Sequence, residues 1–346
     1  MAKNITLFGF VADVSKKIAK QVETEDGVAT PVVATTDDVK KMIQDAVTPA
    51  FLQSLSSEKK EPSLVDDSDG VTIFMANGTP ITIKDRADGK SGATITWDGG
   101  SMDVPENAHV FGGCHDDDTP VNGDITMIGG TIKNLFGGGL HKSHTVLAEV
   151  KVKGGVSTGT ICGGGASSFT KDCKCENATW FDGDGKESPC QTDETRITMT
   201  GGKTGILYGG GEGIGCTKKV SMTVNNPEGV YDYVSAGGSN GYTGEVSMYL
   251  EDFKKIGVVQ GVNRGHVDNI IINIDGGKDI GNVYAGYEVP DPNSTASFDR
   301  SVVNVKKSAI PAGLYCPNVV PGGNNGKDLS ECEDEAELKK VSINYI

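Results

Sequence analysis

Apolar and polar residues alternate in short runs along most of the chain, and each run ends in a pair of small residues. The fullest example is Ile125–Gly130, in which Ile125 and Met127 flank one polar residue ahead of two glycines. Leu135–Gly139 follows, with two apolar residues and three glycines. Alternation with a period of two predicts a half-buried β-strand, and paired glycines permit a sharp corner. The two stretches together form one repeat unit.

Both halves of this unit recur at regular distances. Copies of the first half begin at Ile95, Ile125, Val150, Ile197 and Ile272, with weaker copies at Met222, Met248 and Val303. Copies of the second half begin at Val110, Leu135, Ile161, Leu207, Val234, Val258 and Val283. The starts of the second half are separated by 25, 26, 46, 27, 24 and 25 residues, so one interval is long.

A period near 25 residues that contains two or three short strands is typical of a β-solenoid. The pattern therefore predicts a mainly β fold, a Gly-rich, right-handed parallel β-helix with about 25 residues per coil. A leucine-rich repeat has a similar period but needs a leucine consensus and a helical return, and a propeller blade is longer. The long interval predicts a Cys-rich insertion at about residues 168–196.

Three segments follow from this interpretation. Residues 1–65 are predicted to be a small N-terminal α/β anchor and linker, residues 66–310 the solenoid, and residues 311–346 a C-terminal cap. Within the anchor, Thr36 is a candidate N-cap for a short helix. The apolar face of this helix carries Val39, Met42 and Ile43. Since so short a helix is unstable alone, its apolar face must dock on the open end of the solenoid or on a partner.

Two local predictions concern the ends of the solenoid. Val71–Phe74 and Ile81–Ile83 alternate like strands, and Asn77-Gly78 between them predicts a β-hairpin turn. Near the C-terminus, Asp328–Lys340 has the charge pattern of a short helix. Val341–Ile346 alternates again, which predicts a final strand that covers the last coil.

Composition narrows the function classes. The chain of 346 residues has 48 glycines, few aromatic residues and a net charge of −15. This acidity argues against nucleic acid or an anionic membrane surface as a partner, since both require clustered Lys and Arg. No run approaches the roughly 20 apolar residues of a membrane span. The N-terminus also lacks the small-residue pattern of a cleaved signal peptide.

Cysteines cluster in and around the predicted insertion. Cys173, Cys175 and Cys190 could hold zinc as thiolates, or they could form disulfides if the protein works outside a cell. Cys162 and Cys216 lie on either side. A Cys-x-Cys spacing is a weak zinc signal, so neither a metal centre nor a cofactor is predicted. The connectivity of the eight cysteines stays open.

One loop carries candidate catalytic residues. His115 is followed by Asp116–Asp118 after a glycine corner, where a β-helix enzyme could hold a carboxylate pair for glycan cleavage. His141 and His144 lie on the equivalent loop one repeat later, so we expect them near His115, in a patch that could bind metal. A solvated acidic loop explains the same residues and is favoured. No catalytic residue is predicted, and the chain is expected not to be an enzyme.

The first ten residues and the helix Thr36–Leu55, placed ahead of a Gly-rich solenoid, resemble the head fibres of tailed bacteriophages, including crAss-like phages. The sequence lacks the long heptad region of many tail fibres, which favours the head. The resemblance implies a structural virion protein on the capsid surface. It also implies a homotrimer whose N-terminal part binds the major capsid protein or another virion protein. The solenoid would point outward and could adhere to host-surface or mucosal glycans.

The residues that the resemblance places in attachment are Ile5, Leu7, Phe8, Phe10, Val39, Met42 and Ile43. Two other functions stay open. One is a polysaccharide-active β-helix enzyme similar to a tailspike, and the other is an extracellular adhesin on a bacterial surface.

Overall fold

The computed structural model describes residues 60–66, 71–167, 190–213, 215–263, 265–287, 296–306, 319–320 and 339–346. The chain divides into two compact units, Met1–Ser56 and Ser57–Ile346, and all described residues belong to the second. This unit is mainly β, with one curled sheet of 19 strands that mixes parallel and antiparallel pairs. The predicted anchor residues Ile5, Leu7, Phe8, Phe10, Val39, Met42 and Ile43 lie outside the described residues.

The strands are numbered in chain order. They are β1 (Ser63–Asp66), β2 (Thr72–Met75), β3 (Ile81–Lys84), β4 (Ala93–Trp97), β5 (Gly100–Val104), β6 (His109–Phe111), β7 (His115–Ile132), β8 (Asn134–Phe136), β9 (Leu140–Ser157), β10 (Thr160–Cys162), β11 (Cys190–Met199), β12 (Ile206–Tyr208), β13 (Cys216–Ser235), β14 (Tyr242–Gln260), β15 (His266–Ile274), β16 (Ile280–Tyr284), β17 (Ser297–Val305), β18 (Val319–Val320) and β19 (Val341–Tyr345).

The long strands pair in parallel with the corresponding strand of the next repeat. β7 pairs with β9, β9 with β11, and β11 with β13, and the register brings equivalent repeat positions side by side. Ile125 thus lies beside Val150, and Ile197 lies beside Met222. The ladder continues through β14, β15 and β17 to the predicted C-terminal strand, which is confirmed as β19.

The short strands form a second parallel ladder. It runs from β2 through β6, β8, β10 and β12 into the end of β13. Apolar side chains from both ladders are buried in one hydrophobic cluster, since a side chain of every second residue points inward. Members from the short-strand ladder are Val110, Leu135, Ile161, Leu207 and, at the end of β13, Val234. Members from the long ladder include Ile125, Val150, Ile197, Met222 and Met248.

A glycine column follows the short strands. Gly112, Gly137, Gly163 and Gly209 occupy the same position in successive repeats, and the amide of each donates to a carbonyl of the next short strand or its continuation. A Cβ added to Gly137 would overlap the carbonyl oxygen of Gly163, and the other three have the same relation to the next repeat. At these four corners the repeats therefore stack more closely than an added Cβ allows, whereas Ala236 and Ala285 hold the same position in later repeats.

One predicted copy of the repeat forms a different structure. Ile95 lies in β4, which pairs antiparallel with β3 and β5 instead of joining the parallel ladder. Asp98-Gly99 forms the turn between β4 and β5, with Gly99 at φ 104°. The assignment was wrong because an Asp-Gly pair directly after an alternating strand is also a two-residue hairpin signal.

The predicted hairpin at Asn77-Gly78 is also wrong. β2 pairs with β1 and β6, whereas β3 pairs with β4 and β7. Asn77 and Gly78 do adopt positive φ values, 52° and 81°. Their backbone amides donate to the carbonyls of Gly113 and Gly112, which lie in the next repeat. The turn therefore redirects the chain from one ladder to the other.

A column of threonines runs through the interior. Thr145, Thr192, Thr217 and Thr243 are successive neighbours in the long ladder, and all four are fully buried. Within the described part of the chain, the hydroxyls of the first three have no hydrogen-bond partner. Val267 occupies the next position of the same column, so the packing there accepts a methyl group in place of the hydroxyl.

We expect Thr192→Val to raise the free energy of unfolding by about 1 kcal/mol, because it removes a buried hydroxyl without a partner and keeps the shape of the side chain. Thr195→Val in the same strand is the matched control. Thr195 is equally buried, but its hydroxyl donates to the carbonyl of Gly209 at 3.0 Å, so this change should lower stability by about 1 kcal/mol. Urea denaturation measures both, and shifts of the same sign would contradict the assignment.

Candidate functional site

A corner between two neighbouring repeats brings together His115, Asp116 and His141. His115 pairs with Leu140 where β7 meets β9, so Asp116 and His141 hold equivalent positions in successive repeats. Both have left-handed backbones, with φ 49° at Asp116 and 58° at His141. Non-glycine residues are uncommon in this region, although Asp and His tolerate it better than most. This backbone directs the three side chains toward one another.

The polar atoms of these side chains lie within contact distance. Nε2 of His115 and Nδ1 of His141 are 3.2 Å apart. The Asp116 carboxylate places Oδ2 3.2 Å from Nε2 of His115 and Oδ1 3.5 Å from Nδ1 of His141. The prediction that His141 lies near His115 is confirmed, and the three residues form a group able to hold a metal ion.

Electrostatics favours a neutral imidazole at His115. Its side chain is partly buried, and burial lowers its pKa because it penalises the charged form. The Asp116 carboxylate opposes this shift, His141 adds to it, and the net direction is downward. A neutral ring keeps a lone pair available, and two imidazole nitrogens with a carboxylate oxygen are donors that suit divalent transition metals.

The neighbouring carboxylate has a different role. Asp117 accepts hydrogen bonds from the Lys60 ammonium and from the backbone amide of Thr119, the latter at 2.9 Å. The Lys60 contact is the main reason that the pKa of Asp117 falls to about 2. Asp116 and Asp117 thus have separate partners.

His144 belongs to a second polar group that crosses three long strands. Its Nε2 donates to Oδ2 of Asp193 at 2.9 Å, and Nζ of Lys218 lies 2.7 Å from Oδ1 of the same carboxylate. The residues come from β9, β11 and β13, so they link successive repeats. Burial alone would raise the pKa of Asp193, but the hydrogen bonds from Lys218 and His144 outweigh it and lower the pKa.

We expect Asp193→Asn to lower the free energy of unfolding at neutral pH by about 1 to 2 kcal/mol, because it removes the charge that accepts the His144 hydrogen bond and forms the ion pair with Lys218. A depressed folded-state pKa adds stability that is present above the ordinary Asp value of about 3.9 and is lost as pH falls through the folded pKa. The parent should therefore lose more stability on acidification than the variant. Asp98→Asn, at an exposed turn, is the control in pH-dependent urea denaturation, and equal acid sensitivity of Asp193→Asn and the parent would contradict the assignment.

A further cluster lies in later repeats and was not predicted. Nε2 of His266 is 3.2 Å from Oδ1 of Asp268 and 4.0 Å from Oδ1 of Asp299, while Nδ1 contacts the Ser297 hydroxyl at 2.8 Å. The hydroxyl of Tyr242 donates to Asp268, and burial followed by this carboxylate raises the pKa of Tyr242. The repeat register could have predicted part of this cluster, because Tyr242 and His266 are direct neighbours in the long ladder.

Four cysteines lie among the described residues, Cys114, Cys162, Cys190 and Cys216, and all four are buried. Cys190 begins β11, and its Sγ lies 3.5 Å from the Ser143 hydroxyl and 3.5 Å from the Gly139 carbonyl. Cys162 lies in the other ladder, within a small apolar cluster, and burial raises its pKa. Of the weak zinc candidates, Cys173 and Cys175 lie outside the described residues.

A shallow groove of about 300 Å³ lies beside the β3–β4 hairpin. Its walls combine an indole, two carboxylates and threonine hydroxyls, a mixture that can contact the apolar face and the hydroxyls of a sugar. The lining residues are Pro80, Ile81, Thr82, Thr96, Trp97, Asp98, Asp124 and Thr126.

No family model matches the chain, and no curated protein and no solved structure matches it. Among the described residues, there is no helix with the length and apolar character needed to cross a membrane.

Proposed function

We propose that the described repeats between Thr72 and Val305 form a right-handed parallel β-helix and that this rod is a structural appendage. The observation that carries the proposal is the register of the long ladder, in which Met222, Met248 and Ile272 are direct neighbours in successive repeats. Parallel strands lie about 4.8 Å apart, so every added coil lengthens such a rod by that amount. A fibre needs to be long, and repetition of one coil supplies that length.

An asparagine column supports the same architecture. Nδ2 of Asn344 donates to Oδ1 of Asn304 at 2.8 Å, and Nδ2 of Asn304 donates to Oδ1 of Asn273 at 2.8 Å. Identical amides that bond along the stacking direction are typical of chains with strands perpendicular to a long axis. The column also satisfies the polar groups at the C-terminal end, where β19 pairs with β17.

We further propose that the rod is the outward part of a bacteriophage head fibre, held to the capsid by residues 1–59. This proposal rests on the sequence resemblance and on the apolar residues of the N-terminal segment, among them Phe8, Phe10 and Met42. The partner would be the major capsid protein or another virion protein, and the fibre would be a homotrimer. A net charge of −15 keeps such an exposed rod soluble.

The test is copurification with particles. Mass spectrometry of purified particles should find the full chain in a fixed ratio to the major capsid protein. A variant without residues 1–59 should be missing from particles while its far-ultraviolet circular dichroism retains the β signature. Absence of the full chain from particles would overturn the virion role. Particles that retain the truncated chain would overturn the attachment role of the N-terminal segment.

A second role, adhesion to glycans, is favoured by the groove at Trp97. Asp98 and Asp124 line this groove together with the indole, and Thr82 and Thr126 add hydroxyls. Binding of the purified chain to a glycan array that is lost in Asp124→Asn, with the fold intact, would support this role. If the array retains no glycan, the adhesion role is excluded.

A further inference from the structure

We propose that His115, Asp116 and His141 bind one divalent transition-metal ion of the Zn²⁺ type between two neighbouring repeats. The site is independent of the proposed fibre role, since it needs neither a capsid nor the N-terminal segment. It would link β7 to β9 through side chains, in addition to the backbone hydrogen bonds that already join these strands.

The distances fit a single ion. Zinc bonds to imidazole nitrogen and carboxylate oxygen are about 2.0 to 2.1 Å long, so two ligands of a tetrahedral ion lie about 3.3 to 3.4 Å apart. The two nitrogens are 3.2 Å apart, Oδ2 of Asp116 lies 3.2 Å from Nε2 of His115, and Oδ1 of Asp116 lies 3.5 Å from Nδ1 of His141. Each agrees with a tetrahedral edge within a few tenths of an ångström. Three protein ligands leave the fourth vertex to water or to an external donor, as in zinc sites that are not purely structural.

A metal satisfies these atoms better than a proton does. Nε2 of His115, Nδ1 of His141 and the Asp116 carboxylate face one another, and a neutral imidazole carries a hydrogen on only one of its two nitrogens. If both imidazoles donate to the Asp116 carboxylate, the two ring nitrogens 3.2 Å apart both carry hydrogen and cannot bond to each other. A dication contacts two lone pairs and the carboxylate charge together, and divalent zinc accepts this mixed nitrogen and oxygen set.

The backbone supplies a second, independent argument. Asp116 and His141 both hold left-handed φ values, and the register of Leu140, Ala166 and Glu212 places Ser167, without a positive φ, at the next corner and Gly213, at φ 66°, at the one after. Glycine is the default residue for this conformation. Ligating residues replace it at the two corners that meet, and strained backbones of this kind cluster at ligand sites.

The cluster around His266 is a weaker candidate and serves as the comparison. Asp299 lies 4.0 Å from Nε2 of His266, and the other ring nitrogen is already bonded to Ser297 at 2.8 Å. The Asp268 carboxylate also accepts from the Tyr242 hydroxyl. A metal would have to displace an existing arrangement there, whereas the three donors of the first site already stand at ligand spacing.

The experiment titrates the full chain with Zn²⁺ alone. His141→Asn and Asp116→Asn remove ligands while keeping a residue that tolerates left-handed φ, and His115→Gln removes the third. Each should weaken Zn²⁺ binding at this site at least about tenfold, or abolish it, by the loss of one ligand or its charge. His266→Gln should bind like the parent. Loss of binding in His266→Gln, or unchanged affinity in His141→Asn and His115→Gln, would overturn the proposal.

Two further readouts separate this site from the cysteines and from misfolding. Co²⁺ bound in place of Zn²⁺ should give visible d–d bands without the near-ultraviolet charge-transfer band of a thiolate ligand, and a thiolate band that persists in His141→Asn with equal occupancy would contradict the assignment. Zn²⁺ at about 100 times its Kd should raise the Tm of the parent and of His266→Gln by roughly 5 °C. The Tm of His141→Asn should not rise, and an equal rise would count against the site.

Discussion

Gly137→Ala is expected to lower the free energy of unfolding by about 3 kcal/mol, a large effect for the addition of one methyl group. The new Cβ would overlap the carbonyl oxygen of Gly163 in the next repeat. It would also lie 2.8 Å from Cγ2 of Val150 and 3.0 Å from Cβ of Ala148. Backbone on one side and core side chains on the other must therefore shift to admit the methyl group.

Gly205→Ala is the matched control for this prediction. The nearest atom to its added Cβ is Oδ2 of Asp232 at 3.0 Å, at the end of an exposed side chain that can move away. Its stability should stay within about 0.5 kcal/mol of the parent. Urea denaturation of both variants measures the two changes in the free energy of unfolding. Equal stability of Gly137→Ala and Gly205→Ala would show that the repeats are not packed at the glycine corner as described.

Phe253→Ala should lower the free energy of unfolding by about 4 kcal/mol, since it removes a fully buried aromatic ring and leaves a cavity. Phe253 is completely buried in the shared core. Its ring packs directly on Gly277, where an added Cβ would overlap the ring and where φ is 108°. The ring therefore fills space that a side chain at Gly277 would otherwise occupy, and the backbone there cannot collapse into the cavity without strain.

The control is Tyr249→Ala in the same strand, β14. Tyr249 is 39% exposed, so its removal should cost about 1 kcal/mol or less. Thermal and urea unfolding with coincident transitions would measure both changes. A loss at Phe253 no larger than the loss at Tyr249 would contradict the burial assigned to Phe253.

Strand positions could be predicted from the sequence because a repeat gives the same signal many times. The apolar positions at Ile125, Val150 and Ile197 become neighbours in one ladder, as a common period requires. The local pattern gave a wrong prediction at Ile95, because the same alternation followed by the same glycines forms an antiparallel hairpin there. The hairpin prediction at Asn77 was wrong for a different reason. The turn residues determine only that the chain changes direction there, whereas the strand that pairs with β2 is β6, from the next repeat.

The polar site was predictable where its members stand one repeat apart. His115 and His141 are separated by 26 residues, which is one period, and they come into contact. His144 was expected in the same patch but pairs with Asp193, 49 residues away across the long interval. The insertion obscures that register, so sequence spacing alone does not identify Asp193 as the neighbour. The left-handed backbones at Asp116 and His141, which aim the ligands, have no signal in composition or period.

We propose that the repeats stack in register along one axis, and spin-label distances test this arrangement most directly. Thr126 and Tyr249 are four ladder steps apart, and Thr126 and Asn344 are seven steps apart. With labels attached through a non-cysteine handle, the backbone separations should be about 19 Å and about 34 Å, at about 4.8 Å per step. Distances that rise in this proportion would support the stacked β-helix. Similar distances for both pairs would contradict it.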